Sequence, residues 1–478
     1  MAFPQGRPID WPSYNNDAQR TGWEKIDSRI TKDNIKDVQL VLKRKLENGT
    51  GGPNSLTPPA ILGLLISYRG FKELAFVAGS SGNMWAIDVD VDRIFWQKHF
   101  DSGSKGKCAA GITSMPALIP PLNFAVRPRP ATPAAPSTTA TPAAPPAAAP
   151  VAEPPARPLN RATIAAGGFG APRPLFAVSS DGKLHLMNTS TGEDASPAMP
   201  FLPANATASS LTVVDSTVYT TTTDCGNGRA AVWALDLKGP EKKAPPVAKF
   251  AINDGTASRL GGLAMANDGT VFVQADSTLY ALTPKTLKLA NYFTFPERAP
   301  DTTPVVFTYK DKELVASAGA DGRIYLLDAK SPGGDDHKTP LFRTEPLAAG
   351  RVWGGLSSWL DTGGTRWILA PVWGDKGSIV AFKLLEQDGK PALKQGWVSR
   401  DMVSPEQPVI TSGVVFALSA GERAVLYALD GTTGQEMWST GEQVTAPANL
   451  TGLTVANGRV FFTTTDNTLY GFGIYLER

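Results

Sequence analysis

Short apolar runs separated by tight polar turns recur along the chain. Each unit has an apolar run, a small or polar turn, and a second apolar run that ends near an aspartate or its substitute. The eight units end at Asp88, Asn188, Asp236, Thr283, Asp328, Lys383, Asp430 and Gly473. Successive ends lie 43 to 55 residues apart, except that the first two lie 100 residues apart. Short apolar runs bounded by turn residues are typical of β-strands.

A period of 43 to 55 residues indicates a four-stranded propeller blade. A further apolar run precedes each strand pair, and a run ending on an aromatic residue often follows it. The last unit lacks a fourth strand, whereas Val38–Leu46 is a strand without a unit. Pairing the two would close the ring and remove exposed sheet edges. We therefore predict an all-β fold: an eight-bladed β-propeller of four-stranded antiparallel blades, closed by an N-terminal strand. A seven-bladed ring with an N-terminal cap is the alternative.

Alanine and proline dominate residues 120–160. Of the 40 prolines, thirteen fall between positions 120 and 158, and a segment of this composition cannot bury a core. The same strand pattern continues on both sides of it, which favours a flexible insertion within blade two over a linker between domains. Residues 1–478 are then predicted to form a single propeller domain, and the insertion accounts for the one long interval between units.

The charge of the chain is nearly balanced, with 46 Lys and Arg residues against 44 Asp and Glu residues. This balance argues against a protein dedicated to binding nucleic acid or an anionic membrane. The chain has no run of 18 apolar residues, so we expect no membrane span, and its start has no signal-peptide pattern. Cys108 and Cys225 form no CxxC motif, and a disulfide and free thiols are both open.

One unit, Leu426–Trp438, reads LYALDGTTGQEMW. It resembles the AxDxxTGxxxW repeat of pyrroloquinoline quinone (PQQ) propellers, and Met84–Trp96 has the same frame without the Thr-Gly pair. The segment Asp10–Trp23 is also similar to the start of that family, and the resemblance covers nearly the whole chain. In this frame the aspartate accepts hydrogen bonds from the following turn, and Trp96 and Trp438 dock between neighbouring blades.

The resemblance implies one of two functions. The first is a PQQ-dependent oxidoreductase that oxidises a small-molecule alcohol or sugar, with calcium or a lanthanide bound beside the PQQ. The second is a non-catalytic propeller scaffold that binds a protein partner, similar to the outer-membrane assembly propellers. The chain lacks the adjacent cysteine pair of the quinoprotein alcohol dehydrogenases and has no CxxCH haem motif, which favours the scaffold. The near-complete similarity to PQQ-binding-like proteins favours the oxidoreductase. In both cases the resemblance implies a periplasmic or secreted monomer.

Residues just before the inner strands of a propeller crowd the mouth of its central funnel. Those positions hold Lys107, Thr113, Arg259, Arg351, Trp353 and Glu406. If PQQ binds, Lys107, Arg259 and Arg351 would hold its carboxylates, and Trp353 would stack on its ring. The alternative is that these cations form hydrogen bonds that hold the blades together. No motif assigns a catalytic residue or a metal ligand.

The remaining polar clusters receive structural interpretations. Asp88, Asp90 and Asp92 lack the glycine and glutamate that a calcium-binding loop needs at its sixth and twelfth positions, so we interpret them as a strand and its turn. His99 is predicted at a blade edge and His185 within the packing of a blade, because no histidine has metal-ligand spacing. Packing between blades is also predicted for three tryptophans, Trp359, Trp367 and Trp373.

Overall fold

The computed structural model describes residues 8–49, 51–67, 70–100, 116–118, 174–223, 230–238, 246–252, 261–298, 302–348 and 350–474. Its sheets are arranged as the eight blades of a β-propeller, and the strands of each blade run antiparallel. The prediction of an eight-bladed, all-β fold is therefore confirmed, and the seven-bladed alternative is wrong.

The first half of the ring follows the N-terminal strands. Before the ring come β1 (Trp23–Glu24), a 3-10 helix (Ile35–Asp37) and β2 (Gln39–Lys45). Blade one has β3 (Ala60–Ser67), β4 (Gly70–Ala78), β5 (Asn83–Asp88) and β6 (Arg93–His99). Blade two has β7 (Ala117–Leu118), β8 (Pro174–Val178), β9 (Lys183–Asn188) and β10 (Met199–Pro200). Blade three has β11 (Thr207–Ala208), β12 (Thr212–Val214), β13 (Thr217–Thr223), β14 (Ala231–Asp236) and β15 (Val247–Ala251). Blade four has β16 (Leu263–Met265), β17 (Val271–Ala275), β18 (Thr278–Leu282) and β19 (Leu289–Thr294).

The second half returns to the N-terminal strand. Blade five follows β20 (Thr302–Thr303) and has β21 (Val305–Tyr309), β22 (Lys312–Ala318), β23 (Ile324–Asp328), a 3-10 helix (Gly334–Asp336) and β24 (Phe342–Arg343). Blade six has β25 (Arg351–Val352), β26 (Gly354–Gly355), β27 (Ser357–Leu360), β28 (Arg366–Trp373), β29 (Ser378–Gln387) and β30 (Lys390–Val398). Blade seven has β31 (Val409–Thr411), β32 (Val414–Ser419), β33 (Val425–Asp430) and β34 (Glu436–Ser439). Blade eight has β35 (Thr454–Ala456), β36 (Arg459–Thr464) and β37 (Thr468–Gly473), and takes β2 as its outer strand.

Strand β2 closes the ring by pairing antiparallel with β37, from Gln39 opposite Gly473 to Lys45 opposite Thr468. The side chains that point inward, such as Leu42, are buried, whereas the lysines and arginine of the strand stay partly or fully exposed. This pattern fits an outer strand with one face against a neighbouring blade. The predicted closing strand is confirmed, with one residue fewer at each end than Val38–Leu46.

Burial explains why the sequence contains apolar runs instead of strict alternation. Blades stack side by side, so the second strand of a blade has a neighbour on each face. Strand β17 is buried at all five positions, whereas the outer strand β15 alternates between exposed and partly buried positions. A strand that is buried on both faces is apolar throughout, and an outer strand alternates.

In blade seven the turn motif packs against the tryptophan that ends blade six. Asp430 accepts hydrogen bonds from the backbone N–H groups of Thr432 (2.8 Å) and Thr433 (3.1 Å). Gly434 has φ +75°, and a Cβ there would lie 2.4 Å from the indole of Trp397, whose Nε1 donates to the Gly431 carbonyl at 3.0 Å. The glycine is therefore required both for its backbone angle and for the space that the indole needs.

Trp96 and Trp438 are the two tryptophans that the repeat motif predicts between blades. Trp96 of blade one donates through Nε1 to the Thr189 carbonyl of blade two at 2.9 Å and packs against Gly192. Trp438 of blade seven meets Phe472 of blade eight at a ring-centroid distance of 5.9 Å. Both indoles lie between blades as predicted, although both remain half-buried.

Replacing Gly434 tests this packing. We expect Gly434→Ala to lower the free energy of unfolding by about 3 kcal/mol, because it adds a steric clash to backbone strain. Gly389→Ala is the matched control, since Gly389 has φ +72° but a Cβ added there would meet no atom within 4 Å, and it should cost about 1 kcal/mol. Urea denaturation of both variants measures the difference. Equal losses would contradict the role assigned to the indole.

The Ala/Pro-rich stretch 120–160 lies outside the described residues, and its placement as an insertion in blade two stays a prediction. We expect deletion of residues 131–155 to change the melting temperature by no more than about 3 °C, because this composition contributes no core. Differential scanning calorimetry checks this. Loss of the cooperative transition would contradict the predicted insertion.

Candidate functional site at the central channel

The N-terminal segment 9–27 runs through the central channel and contacts every blade. It begins at blade eight, where Ile9 exchanges two hydrogen bonds with the side chain of Asn457 at 2.8 and 2.9 Å. It then follows the ring and forms hydrogen bonds with each of the other blades in turn. The bonded pairs are Trp11 and Ile61, Pro12 and Leu118, Tyr14 and Ser210, Ala18 and Met265, Gln19 and Val306, Thr21 and Ser358, and Gly22 and Ile410. One mostly irregular segment, whose only strand is the two-residue β1, thus bonds to all eight blades.

Local turn chemistry lets this segment follow the ring. Asn15, Asn16, Arg20 and Gly22 adopt positive φ values between 53° and 73°, a region that asparagine and glycine tolerate well. Asp17 caps the bend by accepting hydrogen bonds from the backbone N–H and hydroxyl of Thr21. These side chains supply partners that a buried, non-repetitive backbone cannot find within itself.

Arg20 is a fully buried cation of this segment, packed against blades three and four. Its guanidinium donates to the carbonyls of Leu263 at 2.9 Å and Gly261 at 3.0 Å. It also donates to the Tyr14 carbonyl and to the hydroxyls of Ser13 and Thr212. Burial lowers the pKa of Arg20 to about 10, so the group stays protonated at neutral pH. Neutral oxygens solvate the charge and tie the segment to blades three and four.

Tyr14 fills the axis beside Arg20. A Cβ on Gly261 or Gly452 would lie within 2.9 Å of the Tyr14 ring, so both glycines make room for it. The phenol donates to Gln407 Oε1 at 2.7 Å. Burial, followed by the nearby Glu406, raises the pKa of Tyr14 above its ordinary range. The channel is therefore occupied at this level by a neutral aromatic side chain of the chain itself.

Glu406 is a buried carboxyl next to this ring, 1% exposed. It accepts a hydrogen bond from the Gly452 backbone, while its Oε1 has no partner among the residues that the structure describes. Burial raises the pKa of Glu406 to about 8, because the one hydrogen bond from the Gly452 backbone does not offset the loss of hydration. Glu406 is therefore mainly protonated at neutral pH.

Two of the four predicted cofactor-binding residues lie in the described ranges. Arg351 is exposed at the start of β25. Trp353 is half-buried and stacks on Trp373, with ring centroids 4.5 Å apart, and Trp373 Nε1 donates to the Pro405 carbonyl at 2.8 Å. The structure thus brings Trp353 and Glu406 to adjacent inner strands. Lys107, Arg259 and also Thr113 lie outside the described residues, so the role of the four-residue set stays a prediction.

Sequence reasoning missed the channel residues Tyr14, Arg20 and Gln407. The signal was nevertheless present, because the segment Asp10–Trp23 combines turn-forming asparagines with large aromatic side chains and lacks any strand period. Its similarity to the start of a known family did not by itself indicate a structural role. The predicted packing of Trp359, Trp367 and Trp373 agrees with the structure, where the first two join the apolar cluster between blades six and seven.

Comparison with known proteins finds similarity in sequence for part of the chain and in fold for nearly all of it. A family model described as outer membrane protein assembly factor BamB matches residues 360–474. No curated protein sequence matches the chain. Quinohemoprotein alcohol dehydrogenase from Comamonas testosteroni has a similar structure, with TM-score 0.59 and 14% identity over 98% of this chain and 81% of that one. BamB from Moraxella catarrhalis gives TM-score 0.53 and 15% identity over 92% and 99%. A europium-containing methanol dehydrogenase gives 0.55 and 11% over 97% and 89%.

This chain has the propeller fold of the PQQ-like repeat proteins, and its residues 360–474 match a model of that repeat. The family model and the solved structures agree on the repeat and on the ring that it builds. Identities of 11 to 15% establish a shared fold and leave activity open.

PQQ is a flat quinone with three carboxylates, so a site for it needs a free aromatic face, cations and ligands for a metal ion. One face of Trp353 already stacks on Trp373. Both ends of the Gln407 amide are used, by Tyr14 and by the Leu356 carbonyl. Within the described ranges no three His, Cys, Asp or Glu side chains are grouped to hold a metal ion. The described residues therefore do not fit PQQ and its metal; Arg351 alone matches the expected chemistry.

The aspartates that suggested calcium are each paired with a cation. Asp88 pairs with Lys72 at 2.5 Å. Asp90 pairs with Arg459, and Asp92 with Arg44. Their carboxylates thus hold neighbouring strands and turns together, as the structural interpretation predicted. A cavity of about 110 Å³ beside them, bounded by Val91 and Phe95 among others, is smaller than the sites that bind small molecules.

No helix in the part of the chain that the structure describes is long and apolar enough to cross a membrane.

Replacing Glu406 tests its protonation. Its folded-state pKa of about 8 lies above the unfolded value of 4.5, so its contribution to stability is present below pH 4.5 and is lost as pH rises through 8. We expect Glu406→Gln to gain at least about 1 kcal/mol over wild type between pH 5 and pH 9. Chemical denaturation across this range measures it, with the exposed Glu422→Gln as control. A difference that does not change with pH would contradict the assignment.

Proposed function

We propose that this chain is a non-catalytic propeller scaffold that binds a protein partner. The observation that carries the proposal is the occupied channel: the Tyr14 ring lies between glycines of blades four and eight, and its hydroxyl bonds to Gln407 of blade seven, so it spans the space that the ring encloses. Their segment is bonded to all eight blades, so displacing it would break contacts around the whole ring. A ring that is closed in this way presents its faces and loops for binding.

The family match supports the same proposal. Residues 360–474, which form most of blades six to eight, match the model described as outer membrane protein assembly factor BamB. We extend from that description the proposal that the partner is a protein and that this chain acts in the periplasm or outside the cell. The nearly neutral charge of +2 suits a protein surface better than nucleic acid.

A second candidate is a PQQ-dependent oxidoreductase of alcohols or sugars. It is favoured by the exposed guanidinium of Arg351, two residues from Trp353 in the chain. Arg351 would bind a carboxylate of PQQ, with Lys107 and Arg259 as further cations and calcium or a lanthanide beside it. PQQ, when bound, would supply the oxidation, and Arg351 would orient it above Trp353.

Titration with PQQ, with and without calcium or a lanthanide, separates the two candidates. We expect no saturable quenching of tryptophan fluorescence and no heat of binding up to high micromolar PQQ, because the axis is filled and the described residues do not fit the quinone. Binding at a ratio of one to one would overturn the scaffold proposal. Arg351→Ala should then weaken that binding, whereas Arg423→Ala, a change at another exposed arginine, should not.

A positive test of the scaffold uses the full chain in an extract of its own cells. Chemical cross-linking followed by mass spectrometry is expected to return one recurrent protein joined to the same propeller face. Cross-links scattered over many proteins and over both faces would count against a specific partner.

A further inference from the structure

Exposed apolar side chains are gathered at one end of the ring. The strands of each blade run antiparallel, so the turns from first to second strand and from third to fourth strand lie at the same end, here called the lower face. The opposite end is the upper face. Among the large apolar side chains that are exposed in the described residues, all but Val398 and Val403 lie at the lower face or in the strand halves next to it. Such a concentration marks an interaction surface.

Blade one supplies the largest part of this surface through the hairpin of β3 and β4. Leu74 pairs with Asp88, the last residue of β5, so Gly70–Glu73 continue past that strand to the lower face. Near the tip of the hairpin Ile66 and Phe71 lie opposite each other. They are 70% and 71% exposed, more than any other large apolar side chain in the described ranges. The hairpin therefore presents an apolar pair to solvent.

The corresponding hairpin of blade five has a polar tip. Both second strands contain the sequence Lys-Glu-Leu, at 72–74 and at 312–314, and each leucine pairs with the aspartate that ends the third strand. The residue before this sequence is Asp311 in blade five and Phe71 in blade one. A polar residue suffices to close the turn, and a side chain that stays in water adds little to the core. The fold alone thus gives no reason for Phe71.

The cavity of about 110 Å³ opens beside this hairpin on the same face. Its apolar wall is formed by Val91, Ile94 and Phe95, and the ion pair of Lys72 with Asp88 lies at its edge. A cavity of about 150 Å³ holds one benzene ring, so this one has room for a single aliphatic side chain. In protein interfaces such cavities receive the anchor residue of the partner.

The charges around the cavity are balanced except at Arg93. The three aspartates of the adjoining strand and turn are each paired with a cation. Arg93 lines the cavity, is exposed, and forms no ion pair with any residue that the structure describes. A guanidinium in this position suits a carboxylate, which it can bind with two parallel hydrogen bonds. An anionic membrane surface would meet the three aspartates as well, whereas a peptide can place one carboxylate on Arg93 alone.

We propose that the lower face of blade one is the surface on which the protein partner docks. The partner presents a segment in which an aliphatic residue lies next to Asp or Glu. The aliphatic side chain enters the cavity, the neighbouring carboxylate binds Arg93, and Ile66 and Phe71 pack against the apolar part of the segment. This inference rests on the proposed scaffold function and assigns to it one blade, one face and the chemistry of the partner.

Short random peptides, selected by phage display on the full chain, supply the probe. We expect the enriched peptides to share an aliphatic residue next to Asp or Glu. Fluorescence anisotropy then measures the affinity of an enriched peptide, which should fall at least about tenfold in Phe71→Asp and in Arg93→Gln. Val403→Asp and Arg423→Gln, at exposed positions of the upper face, are the matched controls and should bind like wild type. Equal affinity in all four variants, or enriched peptides without an acidic residue, would overturn the inference.

Thermal unfolding separates docking from packing within the fold. Phe71 and Val403 are both exposed, so we expect Phe71→Asp and Val403→Asp to melt within about 2 °C of wild type. Loss of peptide affinity at unchanged melting temperature is the result expected of a docking residue. A melting temperature that falls in Phe71→Asp alone would show that the ring stabilises the hairpin, and the docking role would be lost.

Lipid vesicles test the other kind of surface that an exposed apolar hairpin can bind. We expect the chain to stay in the supernatant when vesicles of phosphatidylcholine and phosphatidylglycerol are sedimented. Sedimentation with the vesicles that is lost in Phe71→Asp would assign the hairpin to a membrane surface and would overturn the inference.

Cross-linking in an extract keeps this inference separate from the proposed function. The expected result is one recurrent protein joined to the lower face of blade one, and its loss in Phe71→Asp. One recurrent protein joined only to the upper face would overturn docking at blade one and leave the scaffold in place. Cross-links scattered over many proteins would count against the scaffold itself.

Discussion

Pairing between the two ends of the chain is the interaction on which the rest of the structure depends. Strand β2 completes blade eight, and the segment before it bonds to the inner strand of every blade. The seam that this creates is also charged: Arg459 of blade eight pairs with Glu73 at 3.1 Å and Asp90 at 3.0 Å, both of blade one. A ring without this closure would expose two sheet edges, a liability for aggregation. Because contacts between sequence-distant residues close the ring, stability of the blades is shared around it.

The closed ring determines what its channel can do. Eight inner strands leave backbone groups facing the axis, and buried backbone groups need partners. The N-terminal segment supplies them, with Tyr14 and Arg20 filling the space that remains. The same solution that satisfies the inner strands occupies the place where a small ligand would bind. Our proposal of a scaffold rests on this occupancy, although solved dehydrogenases share the fold at TM-scores of 0.55 to 0.59.

The buried ionisable groups compensate for the loss of hydration in different ways. Arg20 keeps its charge by donating to several neutral oxygens. Glu406, with one oxygen unpartnered within the described residues, becomes neutral by raising its pKa. Each outcome follows from the number of donors and acceptors within reach, because desolvation alone always favours the neutral form.

The sequence by itself determined the strands, the number of blades and the closing strand. Those properties are local, since apolar runs and turn residues report burial and backbone conformation over a few positions. It also placed Trp96 between blades. Only the tertiary structure decided that Tyr14 meets Gly261, Gln407 and Gly452. Such contacts join residues from different blades and turns, and protonation depends on burial that no run of neighbouring residues encodes.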